Sequence, residues 1–290
     1  MTAPFLAACV TLRAGREVAA NVEAAIALIR EAAAGGAQIV FTPENTLLME
    51  LDRARLFAAI APEAETAAVT GFGALARELG ILLSIGSMAI RVGEGEVANR
   101  SFLYRPDGMI AARYDKIHMF DVALPNGETY RESASYRPGS DAVLAATAFG
   151  PMGLTICYDL RFPALYRALA QAGALYVTVP SAFTQVTGAA HWHVLLRARA
   201  IETWCFVFAA AQAGRHENGR ETFGHSLIVD PWGEVLADGG KEPGVVFAAV
   251  DPARCHEARA RIPALSHDRA FAVTDGSGLP AARSRALERS

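Results

Sequence analysis

Cys157 stands in the run Gly153-Leu-Thr-Ile-Cys-Tyr-Asp-Leu-Arg-Phe-Pro163, where a short apolar strand gives way to a helix. Such a junction exposes one side chain at a sheet edge and aims backbone N–H groups at the space beside it, the logic of the nucleophile elbow in serine hydrolases. A thiol used this way attacks an electrophilic carbon. It needs a base to take its proton and a donor to hold the oxyanion that develops. No histidine shows an obvious pairing with Cys157, and the Cys-Gly-Ser-Cys-Trp run of papain-type proteases is missing. The remaining polar candidates, at strand ends or in irregular segments, are Glu44, Lys116 and Glu132. Taken singly, each also has a plain reading: a turn carboxylate, a surface charge and a neighbour of Arg131. Cys157 likewise reads as one more small buried hydrophobe, a description that suits Cys9 and Cys205 in apolar strands and Cys255 on a terminal helix better.

The elements that would position these residues follow from periodicity. Val18, Val22, Ile26 and Ile29 recur at helical spacing and predict an amphipathic helix over 17–34, ended by Gly35-Gly36. The strand 38–42 runs into Pro43-Glu44, so Glu44 lies just past a strand's C-terminal end, where open α/β sheets build their sites. A helix over 65–79 and strands over 81–90 and 98–105 follow, with Gly93-Glu-Gly-Glu as a hairpin turn. Later come paired strands over 143–149 and 152–156, a helix from 163 to 172 and a strand over 174–179. A helix over 190–203, strands over 205–211, 226–229, 235–237 and 245–250, and a short helix complete the pattern. Residues 115–140, which hold Lys116, His118 and Glu132, are polar and turn-rich, and long irregular segments in compact domains are usually functional. Helices alternate with strands but hairpins interrupt them, which favours a layered α/β sandwich over a doubly wound sheet. No linker or repeat divides the chain, so residues 1–275 read as one domain and 276–290 as a C-terminal tail.

Composition removes several function classes. In 290 residues, 52% are hydrophobic and 20% charged, enough for a large core and too few charges for a disordered chain. A net charge of −3 with no basic run argues against nucleic acid. No apolar stretch approaches the ~18 residues of a membrane span, and the N-terminus lacks a signal peptide's basic and apolar regions. The four cysteines are scattered with no Cys-x-x-Cys pair, so free thiols and a cytoplasmic location are expected. His191 and His193 flank Trp192 at i, i+2 rather than at the i, i+4 spacing of a helical zinc pair, so no metal site is predicted. Arg197, Arg199 and Glu202 read as a solvated or dimer-facing stripe.

Four motifs occur in order: Thr-Pro-Glu44-Asn; Tyr-Asp-Lys116-Ile-His-Met-Phe-Asp; Tyr-Arg-Glu132-Ser with Pro138-Gly139 downstream; and Ile-Cys157-Tyr-Asp-Leu-Arg-Phe-Pro. Together they resemble the signature set of the nitrilase, or carbon–nitrogen hydrolase, superfamily. The fit is closest to its omega-amidase and deaminated-glutathione amidase branch. The run from Ser181 through His193 to Glu202, Gly224-His-Ser and Asp230-Pro-Trp-Gly carry the same likeness, which spans about residues 5 to 270.

This resemblance implies a four-layer α-β-β-α sandwich, a homodimer or higher homo-oligomer, and no metal or organic cofactor. It makes Cys157 the nucleophile, Glu44 the general base, Lys116 the oxyanion stabiliser and Glu132 a second carboxylate that orients substrate and the Lys116 amine. The Lys116 charge would favour the thiolate. The Tyr158 backbone N–H would be a further oxyanion donor. Phe183, Thr184 and Thr187, in a loop after a strand, and His191, near a helix start, would shape the pocket. Arg161 would either clamp a substrate carboxylate or brace the turn through Asp159.

The expected reaction is hydrolysis of a small acidic amide, an omega-amide of a 2-oxo acid or deaminated glutathione, to acid and ammonia through a Cys157 thioester. Other readings are an N-carbamoyl amino acid hydrolase, a nitrilase and a catalytically silent scaffold. D-carbamoylases carry two arginines where this chain has Leu160-Arg161. Nitrilases follow the cysteine with Trp-Glu rather than Tyr158-Asp159. A silent scaffold should have lost a catalytic residue, and all four are present.

Overall fold

The computed structural model describes residues 3–272 and residue 274. Its first strand, β1 (Phe5–Thr11), is buried on both faces and serves two cores. Ala8 and Val10 pack with Ala25 and Ile29 of α1 (Val18–Ala34), while Ala7 and Cys9 join a second cluster that includes Val207 and Leu227. Strand alternation, with a period of two, makes that division.

The first half continues with β2 (Ile39–Phe41), α2 (Arg53–Ala59), α3 (Ala67–Leu79), β3 (Leu82–Gly93), β4 (Glu96–Tyr104) and β5 (Ile110–Asp115). A small hairpin, β6 (Asp121–Ala123) and β7 (Thr129–Arg131), leads to β8 (Val143–Ala145) and β9 (Met152–Leu154). Next come α4 (Pro163–Gln171), β10 (Tyr176–Thr178), α5 (Gln185–Thr203), β11 (Phe206–Ala209) and a hairpin of β12 (Ala213–Arg215) and β13 (Glu221–Phe223). The strands β14 (Leu227–Val229), β15 (Val235–Asp238) and β16 (Gly244–Val250) and the helix α6 (Ala253–Arg261) follow.

One six-stranded sheet runs β16-β1-β2-β3-β4-β5 and the other β15-β14-β11-β10-β9-β8. Each has three parallel strands at its centre, β1-β2-β3 and β9-β10-β11, flanked by antiparallel ones. Helices α1 and α3 pack on the first sheet, α4 and α5 on the second. The sheets face each other: the Phe41 and Phe208 rings stack at 4.4 Å, and the Thr11 and Ser226 hydroxyls bond at 2.7 Å. This is the expected four-layer α-β-β-α sandwich. Among the described residues no helix is long and apolar enough to cross a membrane.

Local details depart from the sequence reading. Helix α2 was not foreseen, because only Leu56 of its seven residues is buried and no apolar stripe repeats. Its Asp52 cap, accepting from the Arg55 N–H at 2.9 Å, was the available signal. The helix expected over 190–203 starts at Gln185, capped by Thr184, so Thr187 lies in its first turn rather than in a loop. Gly188 in that turn disguises it, yet a Cβ there would sit 2.3 Å from Cβ of Phe223. The strand expected over 143–149 stops at Ala145, and the irregular segment contains the β6–β7 hairpin. Arg199 is neither solvated nor dimer-facing: it is buried, bonds the Leu160 carbonyl at 2.9 Å and lies over the Tyr166 ring. The expected tail, 276–290, lies outside the described residues.

Candidate active site

Parallel strands that end together bring separate motifs together. Strand β2 delivers Thr42-Pro-Glu44, β9 leads to Cys157, and β10 leads to Pro180 and Ala182. The Glu44 turn is braced by Thr46, whose hydroxyl donates to the Pro43 carbonyl at 2.7 Å, and by the Gln212 side-chain amide, which donates to the Glu44 carbonyl at 3.0 Å. Gly86 of β3 lets these segments meet, since a Cβ there would lie 2.1 Å from the Thr42 carbonyl oxygen and 2.4 Å from Cβ of Pro180.

Cys157 opens a short 3-10 turn, Cys157–Arg161, with φ of +47°, a conformation rare and strained for a residue with a side chain. Its N–H is tied to the Pro180 carbonyl at 2.9 Å. The turn is locked by buried Asp159, whose Oδ2 accepts from the Tyr114 hydroxyl at 2.7 Å and the Ile156 N–H at 2.8 Å. Its Oδ1 meets the His118 N–H at 3.1 Å and His118 Nδ1 at 2.7 Å. One carboxylate thus fastens the cysteine turn to the segment carrying Lys116. Lys116 follows directly on β5, its N–H bonded to the Asn99 carbonyl and its carbonyl to the Gly139 N–H. Glu132 follows directly on β7.

The four polar residues converge. The Lys116 ammonium donates to Glu44 Oε1 at 2.9 Å and to Glu132 Oε1 and Oε2 at 3.0 and 2.8 Å. The Asn99 amide donates to both carboxylates, at 3.0 Å to Glu44 and 3.2 Å to Glu132. The Ala182 N–H holds Glu44 Oε2 at 2.9 Å, and the Phe120 N–H holds Glu132 Oε2 at 2.7 Å. An ammonium has three N–H groups; with one on Glu44 and one shared between the two Glu132 oxygens, the third is left for a ligand. Glu44, Lys116, Glu132 and Cys157 all line one cavity of about 370 Å³.

Electrostatics set the resting proton positions. Burial pushes the Glu44 carboxyl up, but the Lys116 ammonium, with help from Arg220, outweighs it and holds the group below the ordinary carboxylate range. Burial pushes Lys116 down, and the facing Glu132 and Glu44 carboxylates raise it well above its usual value. The Cys157 thiol is raised by burial and then by Glu44, which together outweigh Lys116 and Arg220. Lys116, already compensated by two carboxylates, does not tip that balance, and the thiol keeps its proton until a base takes it, as the pairing with Glu44 requires. A protonated thiol beside an ionised carboxylate is a nucleophile and base that exchange one proton during attack.

The model of the carbon-nitrogen hydrolase family matches residues 6–260. The chain belongs to that family. It is 41% identical over 270 residues to the deaminated glutathione amidase of Synechocystis sp., covering 91% of this chain and 98% of that protein. Among solved structures it is similar to Saccharomyces cerevisiae Nit3, a member of branch 10 of the nitrilase superfamily. The TM-score is 0.83, the identity 28%, and the match covers 93% of this chain and 97% of that one. It is also similar to a glutamate-to-glutamine mutant of the amidase from Nesterenkonia sp. AN1, which carries acrylamide added at the active-site cysteine. There the TM-score is 0.75, the identity 26%, and the match covers 89% of this chain and 98% of that one. This carbon–nitrogen hydrolase is an amidase of the nitrilase superfamily.

Among the other residues singled out from sequence, Tyr158, Phe183, Thr184 and Thr187 line the same cavity. Arg161 and His191 do not. The 3-10 turn carries Arg161 behind Phe183, where its guanidinium lies 5.3 Å from the ring centroid and meets His191 Nδ1 at 3.2 Å. It is neither at the cavity wall nor paired with Asp159, whose oxygens are taken by Tyr114, Ile156 and His118. Sequence reading missed Asn99, hidden in an apolar strand, and Arg220, which lines the cavity from the β12–β13 hairpin.

Metal-ligand side chains come together elsewhere. His193, His225 and Asp238 offer ligand atoms within 4.8 Å of one another, outside the cavity. His193 Nε2 meets Asp238 Oδ2 at 3.0 Å and His225 Nδ1 meets Oδ1 at 2.8 Å, so Asp238 already bonds both imidazoles.

Proposed function

We propose that this amidase hydrolyses small acidic amides, of which deaminated glutathione and the omega-amides of 2-oxo acids are the leading candidates. Cys157 is the nucleophile, Glu44 the base, Lys116 the oxyanion donor and Glu132 the carboxylate that steadies Lys116. The observation that carries this reading is the Glu44–Lys116–Glu132 cluster beside a strained, cavity-facing cysteine. The likeness to the deaminated glutathione amidase of Synechocystis sp. supports deaminated glutathione as a substrate.

As Cys157 Sγ attacks the amide carbon, its proton passes to Glu44, and the new C–S bond leaves a tetrahedral oxyanion. The free Lys116 N–H and the Tyr158 backbone N–H hold that oxygen. Glu44 then hands the proton to the departing nitrogen, since an amine leaves poorly as an anion. Ammonia departs from a primary amide. From deaminated glutathione the amine of the dipeptide departs instead. Water, deprotonated by Glu44, cleaves the thioester to the acid and restores the thiol. Lys116, bonded to two carboxylates throughout, does not move for any step.

The proton inventory gives a pH profile. Glu44 must be ionised, and its pKa lies below the ordinary 4.5, so activity is lost only as pH falls through that lower value. The thiol lies above 9.0 and Lys116 well above 10.5, so neither titrates near neutrality. The kcat/KM profile is expected to be flat between about pH 5 and 9. An acid limb near pH 6.5 would point to a histidine base instead.

The substrate is tested by comparing kcat/KM for deaminated glutathione and 2-oxoglutaramate with that for neutral aliphatic amides, matching nitriles and N-carbamoyl amino acids. The acidic amides are expected to lead; a lead for neutral amides or nitriles would overturn the acidic-amide reading and leave the Cys157 mechanism intact. We also read residues 1–275 as one domain, supported by cores that draw on both sheets. Four unpaired cysteines support a cytoplasmic setting. Exposed Val194, Ile201 and Trp232 support homo-oligomer formation.

A further inference from the structure

Arg220 differs from the other cations of the cavity in how its charge is met. Lys116 is bound by two carboxylates, Arg53 spends both terminal nitrogens on the Ala134 and Gly95 carbonyls, and Arg131 lies exposed to solvent. Arg220 donates from Nη2 to the Ala182 carbonyl and lies 5.0 Å over the Tyr130 ring. Its Nε is buried with no hydrogen-bond partner, and among the described residues no carboxylate pairs with it. A half-buried guanidinium fixed at one end, with an orphaned donor and no counter-ion, is incomplete without an anion.

Its place relative to the reacting atoms is narrow. Ala182 joins the two: its N–H holds Glu44 Oε2 and its carbonyl holds Arg220. The guanidinium therefore stands one residue from the base and faces the cavity that contains Cys157. The lining of that cavity sets Glu44, Glu50 and Glu132 against Lys116, Arg53, Arg131 and Arg220, and of these cations Arg220 is the half-buried one without a carboxylate partner.

We propose that Arg220 anchors the carboxylate of the substrate's acyl portion, so that the amide carbon of a short dicarboxylic half-amide meets Cys157 while its carboxylate rests on the guanidinium. This rests on the acidic-amide reading above and transfers to Arg220 the clamp first expected of Arg161. Two-point binding fixes the amide against the thiol, and the guanidinium, held by Ala182 and Tyr130, is already oriented for it.

The test compares 2-oxoglutaramate with pentanamide, a neutral amide of the same chain length, in the unsubstituted enzyme, Arg220→Met and Arg220→Lys. The ratio of their kcat/KM values is expected to fall about 10²-fold in Arg220→Met, the loss of one charged hydrogen-bonded contact, and to recover in part in Arg220→Lys. An unchanged ratio, with both substrates losing activity together, overturns the anchor. A second measurement reads binding apart from turnover: 2-oxoglutarate should slow iodoacetamide alkylation of Cys157 in the unsubstituted enzyme and not in Arg220→Met, and its uncharged dimethyl ester should slow it in neither. Equal protection by the two also overturns the anchor. If the unsubstituted enzyme prefers pentanamide, the acidic-amide reading fails, and the loss or persistence of 2-oxoglutarate protection in Arg220→Met still decides for or against Arg220.

Discussion

Cys157→Ala is expected to lower turnover by ~10⁴-fold or more, because it removes the only atom that forms the thioester. No other cysteine can replace it. Cys9, Cys205 and Cys255 are completely buried and turn their thiols to the backbone carbonyls of Leu227, Ala174 and Leu175. Cys157 keeps 6% of its surface exposed, on the wall of the cavity. Limited alkylation followed by peptide mass mapping should therefore label Cys157 alone, with activity lost in step. Labelling of another cysteine with activity retained would sink the assignment. Ala keeps the Cβ that makes φ of +47° costly, so the substitution neither relieves nor adds backbone strain, and the urea midpoint should stay close to that of the unsubstituted protein.

The second large effect concerns Glu44 and Lys116 as a unit. Glu44→Gln should cost at least ~10²-fold in kcat, since an amide cannot accept the thiol proton. It also misfits its donors. Glu44 Oε1 accepts from Lys116 and Asn99 while Oε2 accepts from the Ala182 N–H, so one of these meets the new NH2 group whichever way the amide turns. Lys116→Arg keeps the charge but must fit a planar fork where an ammonium, 2% exposed, now serves two carboxylates, and a similar loss of ~10²-fold is expected. The double variant should be little worse than the poorer single one, because the residues act on the same proton and the same oxyanion.

Lys116→Met provides the sharper sign. It leaves Glu44 and Glu132 facing each other without their shared cation, which raises Glu44 from its depressed value and moves the acid limb of any residual activity up toward neutral pH. A limb that stayed below pH 4.5 would mean that Lys116 does not control the base. Additive losses in the double variant would mean that the two residues serve different steps.

Much of this site was legible in the chain itself. The abrupt change from the apolar strand at 152–156 to Cys157-Tyr-Asp, and from 38–42 to Pro43-Glu44, are local patterns, and local patterns report where a strand ends. The layered sandwich was legible for the same reason, since periodicities of two and 3.6 mark which face of each element is apolar.

What remained hidden depends on strand order, which periodicity does not encode. The Glu44 carboxylate is held by residues 55 and 138 positions away in sequence, and Gln212 holds its backbone from 168 away. Asn99 reads as a stray polar residue in a buried strand until β4 is set beside β3 and the Lys116 loop folds over it. Asp159 reads as a turn carboxylate that Arg161 could brace, until Tyr114 and His118 arrive from β5 and the segment beyond it. The two arginines make the contrast plainest. Arg161, four residues from the nucleophile, is carried behind Phe183 by the turn it belongs to. Arg220, sixty-three residues away, reaches the cavity because the β12–β13 hairpin packs on the start of α5. Sequence fixed the residue types and the strand ends that carry them; the pairing of distant strands decided which charges share a pocket, because Coulomb and hydrogen-bond energies depend on separation in space and not along the chain.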